Sequence, residues 1–264
     1  MKLSYTTLSV KDRSIEDAIK IAKQYGLDGI ELRGMGNAHI SCSSSFEYIL
    51  YVKKMIDDNG LVCPCLTSYE KLNQTNKKQA IQESDSLLRT IELATVLNAR
   101  SIRIFMGTVS DETQTDVLME NRQLIMERTK DSPVRILIET HDSARTGKIL
   151  KSILEDAPNC YGVIWDIIHP WTMGEDYRET WDVIGDKVYH VHIKDVWQKL
   201  AEPYHDYSLI GKGVIPVESI VRMLLEKGYK DFFSLEWEPS SDGYRGVGFE
   251  EQLFSFCQFM RSIV

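Results

Sequence analysis

Eight short runs rich in β-branched and aliphatic residues punctuate the chain, and most are followed by a stretch whose apolar positions recur every three or four residues. The runs fall at 3–10 (LSYTTLSV), 28–34 (DGIELRG), 61–68 (LVCPCLTS), 101–107 (SIRIFMG), 134–140 (VRILIET), 161–168 (YGVIWDII), 187–194 (KVYHVHIK) and 232–238 (FFSLEWE). After the first, Ser14 is a helix N-cap with Asp17 three residues on, and Gly26 closes the helix. After the second, a helix ends at Gly60. A long one follows the third, with Ile81, Leu87, Leu88, Ile91, Leu93, Val96 and Leu97 as its apolar stripe. The spacing predicts further helices from about 115 to 130 and over 143–156, and one amphipathic helix between the sixth and seventh runs. An irregular section, 197–213, then precedes a helix opened by Pro216, whose missing N–H has no partner to lose in a first turn. A last helix ends the chain.

Alternating strand and helix patterns with short connections call for a parallel sheet covered by helices, and eight repeats in 264 residues favour closure as a single-domain (β/α)₈ TIM barrel over 1–264. The rival, an open doubly wound sheet, is weakened because no strand-to-helix turn carries GxGxxG or a P-loop; GMGN at 34–37 is too short.

Composition narrows the function classes. With 43% hydrophobic and 27% charged residues, no apolar segment of membrane-spanning length and no signal-peptide core at the start, the chain reads as a cytoplasmic soluble protein with no membrane partner. A net charge of −8 argues against a nucleic-acid backbone as partner. Five cysteines without a CxxC pair argue against a disulfide framework, and Cys63 and Cys65 beside Pro64 read as strand packing rather than metal ligation.

Chemistry concentrates where the strands end, the active face of a parallel barrel. Asp166, His169 and His192 arrive together at the ends of runs six and seven as metal-type side chains. Glu31 and Arg33 end run two, Arg103 lies on run four, Glu139 and His141 close run five, and Glu236 and Glu238 close run eight. Side chains two apart share a face of a strand, so His190, His192 and Lys194 look one way, as do Ser234, Glu236 and Glu238. Glu139, Asp166, His192 and Glu236 come from four consecutive strands and form a ligand set of three carboxylates and one imidazole. That set suits one divalent ion: Mn²⁺, Mg²⁺, Co²⁺ or Zn²⁺. Such an ion polarises a carbonyl and makes the neighbouring C–H acidic enough for a carboxylate base. Glu31 and Arg33 fit either a salt bridge in the barrel mouth or substrate contact. Lys194 fits a substrate oxygen or a reach to solvent, and His141 and His190 fit a substrate contact or a structural place. GKG at 211–213 reads as a turn before an anion cradle.

LIETH, VIWDIIHP, HVHIKD, LIGKGVIP and FFSLEWE, in this order over eight βα units, resemble the xylose isomerase-like TIM-barrel superfamily, in its sugar phosphate isomerase/epimerase branch. The resemblance spans essentially the whole chain. It implies that Glu139, Asp166, His192 and Glu236 are metal ligands, that Glu139 and Glu236 act as acid and base on opposite faces of a sugar carbon through an enediolate, and that His169 contacts substrate. Glu31, Lys194 and His141 complete the expected substrate surroundings. The implied activity is isomerisation or epimerisation of a sugar, sugar phosphate or keto-polyol. A lyase on the same scaffold, an inosose or dehydroshikimate dehydratase, is the alternative, followed by a non-catalytic sugar-binding barrel. An endonuclease IV-like phosphodiesterase is disfavoured, because the additional histidines it needs on earlier strands are missing after CPCLTS and RIFMG. A homo-oligomer is a family-based expectation.

Overall fold

The computed structural model describes every residue except 35–37, 109–114, 199–205, 239–246 and 264. Its strands are β1 (Lys2–Tyr5), β2 (Leu32–Arg33), β3 (Leu66–Lys71), β4 (Ser101–Phe105), β5 (Arg135–Glu139), β6 (Tyr161–Asp166), β7 (Val188–Ile193), β8 (Val196–Gln198), β9 (Asp206–Tyr207) and β10 (Phe232–Leu235). Eight of them form one parallel sheet in the order β1-β10-β7-β6-β5-β4-β3-β2. Its two ends meet. The Glu31 amide donates to the Tyr5 carbonyl at 2.9 Å and the Thr7 amide to the Glu31 carbonyl at 2.8 Å, around a single parallel bridge from Thr6 to Glu31. The sheet is therefore closed into a barrel along a narrow seam.

Around it lie α1 (Ile15–Gln24), α2 (Phe46–Asp58), α3 (Lys77–Leu97), α4 (Thr115–Thr129), α5 (Gly147–Leu154), α6 (Ile168–Thr172), α7 (Tyr177–Ile184), α8 (Val217–Glu226) and α9 (Phe249–Ser262). The local signals act as expected at α1, where the Ser14 hydroxyl accepts from the Asp17 amide at 3.1 Å and Gly26 takes φ +62°. No helix of the described residues is long and apolar enough to cross a membrane.

Several boundaries differ from the sequence reading. The first strand stops at Tyr5, and the Thr6 side chain caps a 3₁₀ turn over Thr7–Val10. Of the second run only Leu32–Arg33 is regular strand. On α3 the buried stripe runs through Ala80, Ser84, Leu87, Ile91 and Ala94, while Ile81 is exposed. Two helices, α6 and α7, follow the sixth strand where one was expected, since Pro170 sits in a short first helix that ends before Gly174 at φ +81°. Pro216 is the residue before α8 rather than its first.

The irregular section contains a small ladder of β8 with β9, and its residues 199–205 lie outside the described residues, as do 35–37 of GMGN. A carboxylate organises the end of this section. Asp195 accepts from the amides of Val196 (2.9 Å), Gly211 (3.0 Å), Gly213 (2.9 Å) and Ile215 (3.1 Å). A Cβ on Gly213 would lie 2.2 Å from both Asp195 Oδ1 and the Val196 carbonyl, so only glycine fits. The GKG amides thus bind an anion that belongs to the chain itself.

The strands divide the interior in two. Ile102, Ile104, Ile136, Ile138, Val163, Val191, Ile193 and Leu235 point outward into the core beneath the helices, and all are buried. Cys65, Leu137 and Ile164 form a separate small cluster within the barrel. Leu137 and Ile164 each stand two residues before an acid, Glu139 and Asp166, so this inner cluster floors the site above it.

Candidate metal and active site

His192 is the centre of the site. It aligns with Asp166 on β6 and with Ser234 on β10. Its Nδ1 lies 2.7 Å from Glu139 Oε1 and 2.9 Å from Glu236 Oε2, and its Nε2 lies 3.0 Å from Glu31 Oε1. Burial alone would push this imidazole toward neutrality. The carboxylates of Glu236, Glu31 and Glu139 outweigh it and raise the pKa well above the ordinary histidine value.

Asp166 completes the convergence. One of its oxygens, Oδ1, accepts from the Ile168 amide at 3.1 Å, starting α6, and the other lies 2.9 Å from Lys194 Nζ. Thr140 locks its backbone through paired hydrogen bonds of 2.9 Å. Lys194 also reaches Glu236 Oε2 at 2.9 Å and Glu238 Oε1 at 3.0 Å. Desolvation works against its charge, but Asp166, Glu236 and Glu238 hold its pKa well above the usual lysine range. Arg103 spans Glu139 Oε2 and Glu236 Oε1, both at 3.3 Å. Glu236 is buried, which would raise its pKa, yet His192, Lys194 and Arg103 pull it well below the carboxylate range.

Ligand atoms of Glu139, Asp166, His192 and Glu236 all lie within 4.8 Å of one another. Glu139 Oε2, Asp166 Oδ2 and Glu236 Oε2 are buried and meet only charged neighbours, Arg103, Lys194 and His192, without a hydrogen bond of regular geometry. Buried carboxylates are costly unless paired or metal-bound. Three hard oxygens and one imidazole nitrogen converging on one point fit a divalent ion.

The remaining expected residues divide by depth. His169, in the first turn of α6, is buried with Nε2 3.6 Å from Asp166 Oδ2 and sits edge-on to His141, ring centroids 4.6 Å apart. His141 is bound to Asp142 at 2.8 Å. It borders a mouth cavity of about 320 Å³ together with Glu139, Lys194, Glu236, Tyr69 and Phe105. Glu31, expected near substrate, lies beneath instead and is fully buried. Its Oε2 accepts from Ser234 Oγ at 2.6 Å and faces His190 Nε2 at 3.0 Å, while its Oε1 takes His192. Desolvation raises its pKa, but His192 and His190 reverse this and hold it strongly depressed. The Glu31–Arg33 salt bridge does not form, and Arg33 donates to the Tyr69 hydroxyl at 3.0 Å.

This lower layer is what the sequence reading missed. Glu31, His190 and Ser234 fix the far side of the His192 ring, the outer-partner arrangement that sets which nitrogen a ligating histidine offers. Alternation placed His190 on the face of His192 and Ser234 on that of Glu236, but only closure of the barrel brings β2 under them. Glu31 with His190 and His192 also forms a second compact acid–imidazole group.

An eight-stranded parallel barrel whose strand ends gather three carboxylates and a histidine around one point defines a class of barrel with a buried candidate metal site. Residues 19–252 match the xylose isomerase-like TIM barrel family model, and the chain belongs to that family. It is 24% identical to a 3-dehydroshikimate dehydratase of Bacillus anthracis, over 90% of this chain and 91% of that protein. It is 23% identical to a fructoselysine 3-epimerase of Shigella flexneri, over 89% and 90%. A solved structure of an IOLI protein with a bound zinc atom superposes with a TM-score of 0.77, at 17% identity, covering 100% of this chain and 98% of that one.

Proposed function

We propose that this chain is a metal-dependent isomerase or epimerase of a sugar, sugar phosphate or keto-polyol, with Glu139 and Glu236 as the proton-transferring pair. One observation carries the reading. The two carboxylates come from well-separated strands, β5 and β10, converge on the same His192 nitrogen, and both border the mouth cavity. Inverting a carbon or moving a carbonyl along a chain requires a base that removes a proton and an acid that returns one, and two opposed carboxyl groups supply both.

Glu139, Asp166, His192 and Glu236 would hold the divalent ion, which when bound supplies polarisation of a substrate carbonyl. Arg103, held between Glu139 and Glu236, fixes the separation of the two carboxylates. His141 and Lys194 on the cavity wall offer donors to substrate hydroxyls. His169, beside His141, would hydrogen-bond an oxygen on which negative charge develops.

The dehydratase relative favours a second reading, in which one carboxylate removes the proton and a neighbouring acid protonates a departing hydroxyl. Lys194, 2.9 Å from Glu236 Oε2 and on the cavity wall, would be that acid.

The test is incubation of the protein with a ketose and cyclitol panel in deuterated water after measuring its metal content. Deuterium entering the substrate without mass loss supports the first reading, and loss of water supports the second. Glu236→Gln is expected to abolish exchange while weakening metal retention less than His192→Ala does. Unchanged activity and metal content in both variants would remove the proposed site.

A further inference from the structure

The barrel has a second end, opposite the mouth, where the strands begin. A cavity of about 110 Å³ lies there, with Arg100, Ser101, Arg135, Tyr189, Asp231 and Phe232 in its walls. Each of these stands at or next to the first residue of β4, β5, β7 or β10. The connections that reach this end, at 98–100, 130–134, 185–187 and 227–231, all belong to the described residues.

Two arginines present their charge to this cavity. The Arg135 amide donates to the Arg100 carbonyl at 3.4 Å, so adjacent strands β4 and β5 set the two side chains side by side. Both residues are exposed, yet neither guanidinium is left to wander. That of Arg135 lies 3.6 Å from the centroid of the Tyr189 ring, a stacking distance, and that of Arg100 lies 5.5 Å from the Phe232 centroid. Lys2 Nζ stands over the same Phe232 ring at 5.6 Å. Stacking occupies the face of a guanidinium and leaves the N–H groups in its plane free to donate. Among the described residues, Asp231 is the one carboxylate within ion-pair range of either arginine, with Oδ1 3.8 Å from Arg100 Nη1, beyond hydrogen-bond length.

Asp231 therefore offsets one of the three positive charges gathered on these two rings, in a chain whose net charge is −8. Exposed like charges repel only weakly in water, so the cluster persists without a partner. The stacking matters for binding instead, because forks already held in place lose little freedom when an anion arrives. The cavity is a fraction of the several hundred Å³ usual for an organic ligand, which limits it to one compact group. Two forks and an excess of positive charge match a phosphoryl group, which offers more oxygens and more charge than a carboxylate.

We infer that this end of the barrel is a phosphate-binding site, in which Arg100 and Arg135 hold the oxygens of a phosphoryl group, free or carried by a monoester whose remainder stays outside. Arg135 begins the strand that Glu139 ends, so the site is a strand's length from the mouth and does not depend on which reaction the mouth performs.

Titration calorimetry on the full chain at low ionic strength tests it with inorganic phosphate, methyl phosphate and nitrate. The two phosphates are expected to bind and nitrate, planar and singly charged, not measurably. Tighter binding of methyl phosphate than of the free ion would assign the monoester, and the reverse order the free ion. Arg100→Gln and Arg135→Gln should each weaken phosphate at least about tenfold, the scale of one charge-assisted hydrogen bond. Arg135→Lys, which keeps the charge without the fork, should recover part of the loss. Asp231→Asn, which removes the carboxylate from the wall, should tighten binding. Both arginines are exposed, so the variants are expected to fold as the parent does. No phosphate binding at millimolar concentration, undiminished affinity in either arginine-to-glutamine variant, or weaker binding by Asp231→Asn would each overturn the inference.

Discussion

The imidazole of His192 has a carboxylate on either side: Glu31 below and the Glu139–Glu236 pair above. The lower one meets Nε2 and the upper pair meets Nδ1. Glu31→Gln keeps the shape and removes the charge beneath His190 and His192, so it is expected to destabilise the fold by roughly 3 kcal/mol, the scale of breaking a buried ion pair. Urea unfolding measures the loss. Metal retention should fall with it, and a variant with parental stability and metal content would show Glu31 to be dispensable. None of this was legible from residue spacing. Glu31 stands 159 residues from His190 and 161 from His192, and a carboxylate at the end of a short strand looks the same whether it faces solvent or a buried ring. The upper four residues were legible because each ends a strongly apolar run, where an unpaired charge would be costly.

At the scale of elements, the described part of the segment between β7 and α8 is gathered at Asp195. Asp195 gathers four backbone amides from both sides of the β8–β9 ladder. Gly213→Ala should therefore cost about 1–3 kcal/mol as an overpacking change, and limited proteolysis should report cleavage between β9 and α8. An uncleaved, equally stable variant would contradict the close approach. Burial raises the Asp195 pKa more than its amide partners lower it. The folded state therefore binds the proton more tightly than the unfolded chain. Stability from this group is fully present below the unfolded value near 3.8 and falls as pH rises through the higher folded value. Asp195→Asn should flatten that downward slope in pH-dependent urea midpoints, and an unaltered slope would assign it elsewhere. The order and number of barrel strands were readable from apolar runs. Their ends were not, because strand-forming residues continue past the last ladder bond, as Thr7–Val10 do when Thr6 caps a 3₁₀ turn.

At the scale of the whole molecule, the barrel is a ring with uneven joints. β5 with β6 and β6 with β7 are extended ladders, whereas β1 and β2 meet at the single Thr6–Glu31 bridge. Closure of the ring was predictable from eight alternations, but the weakness of one joint was not, since 28–34 looked like a full strand and only Leu32–Arg33 is regular.

That joint links breathing of the fold to occupancy of the site. The backbone of Glu31 makes the seam, and its side chain holds His192 from below, so any fluctuation that parts the seam also loosens the imidazole at the centre of the site. An ion bound only by the closed form must suppress that opening. Amide exchange at Thr7 and Glu31 should slow on addition of Mn²⁺, while amides on α5, which follows β5 across the ring from the seam, remain unchanged; equal protection with and without the ion would uncouple the two. A narrow seam would make this barrel a reporter of its own cargo, readable from two backbone hydrogens.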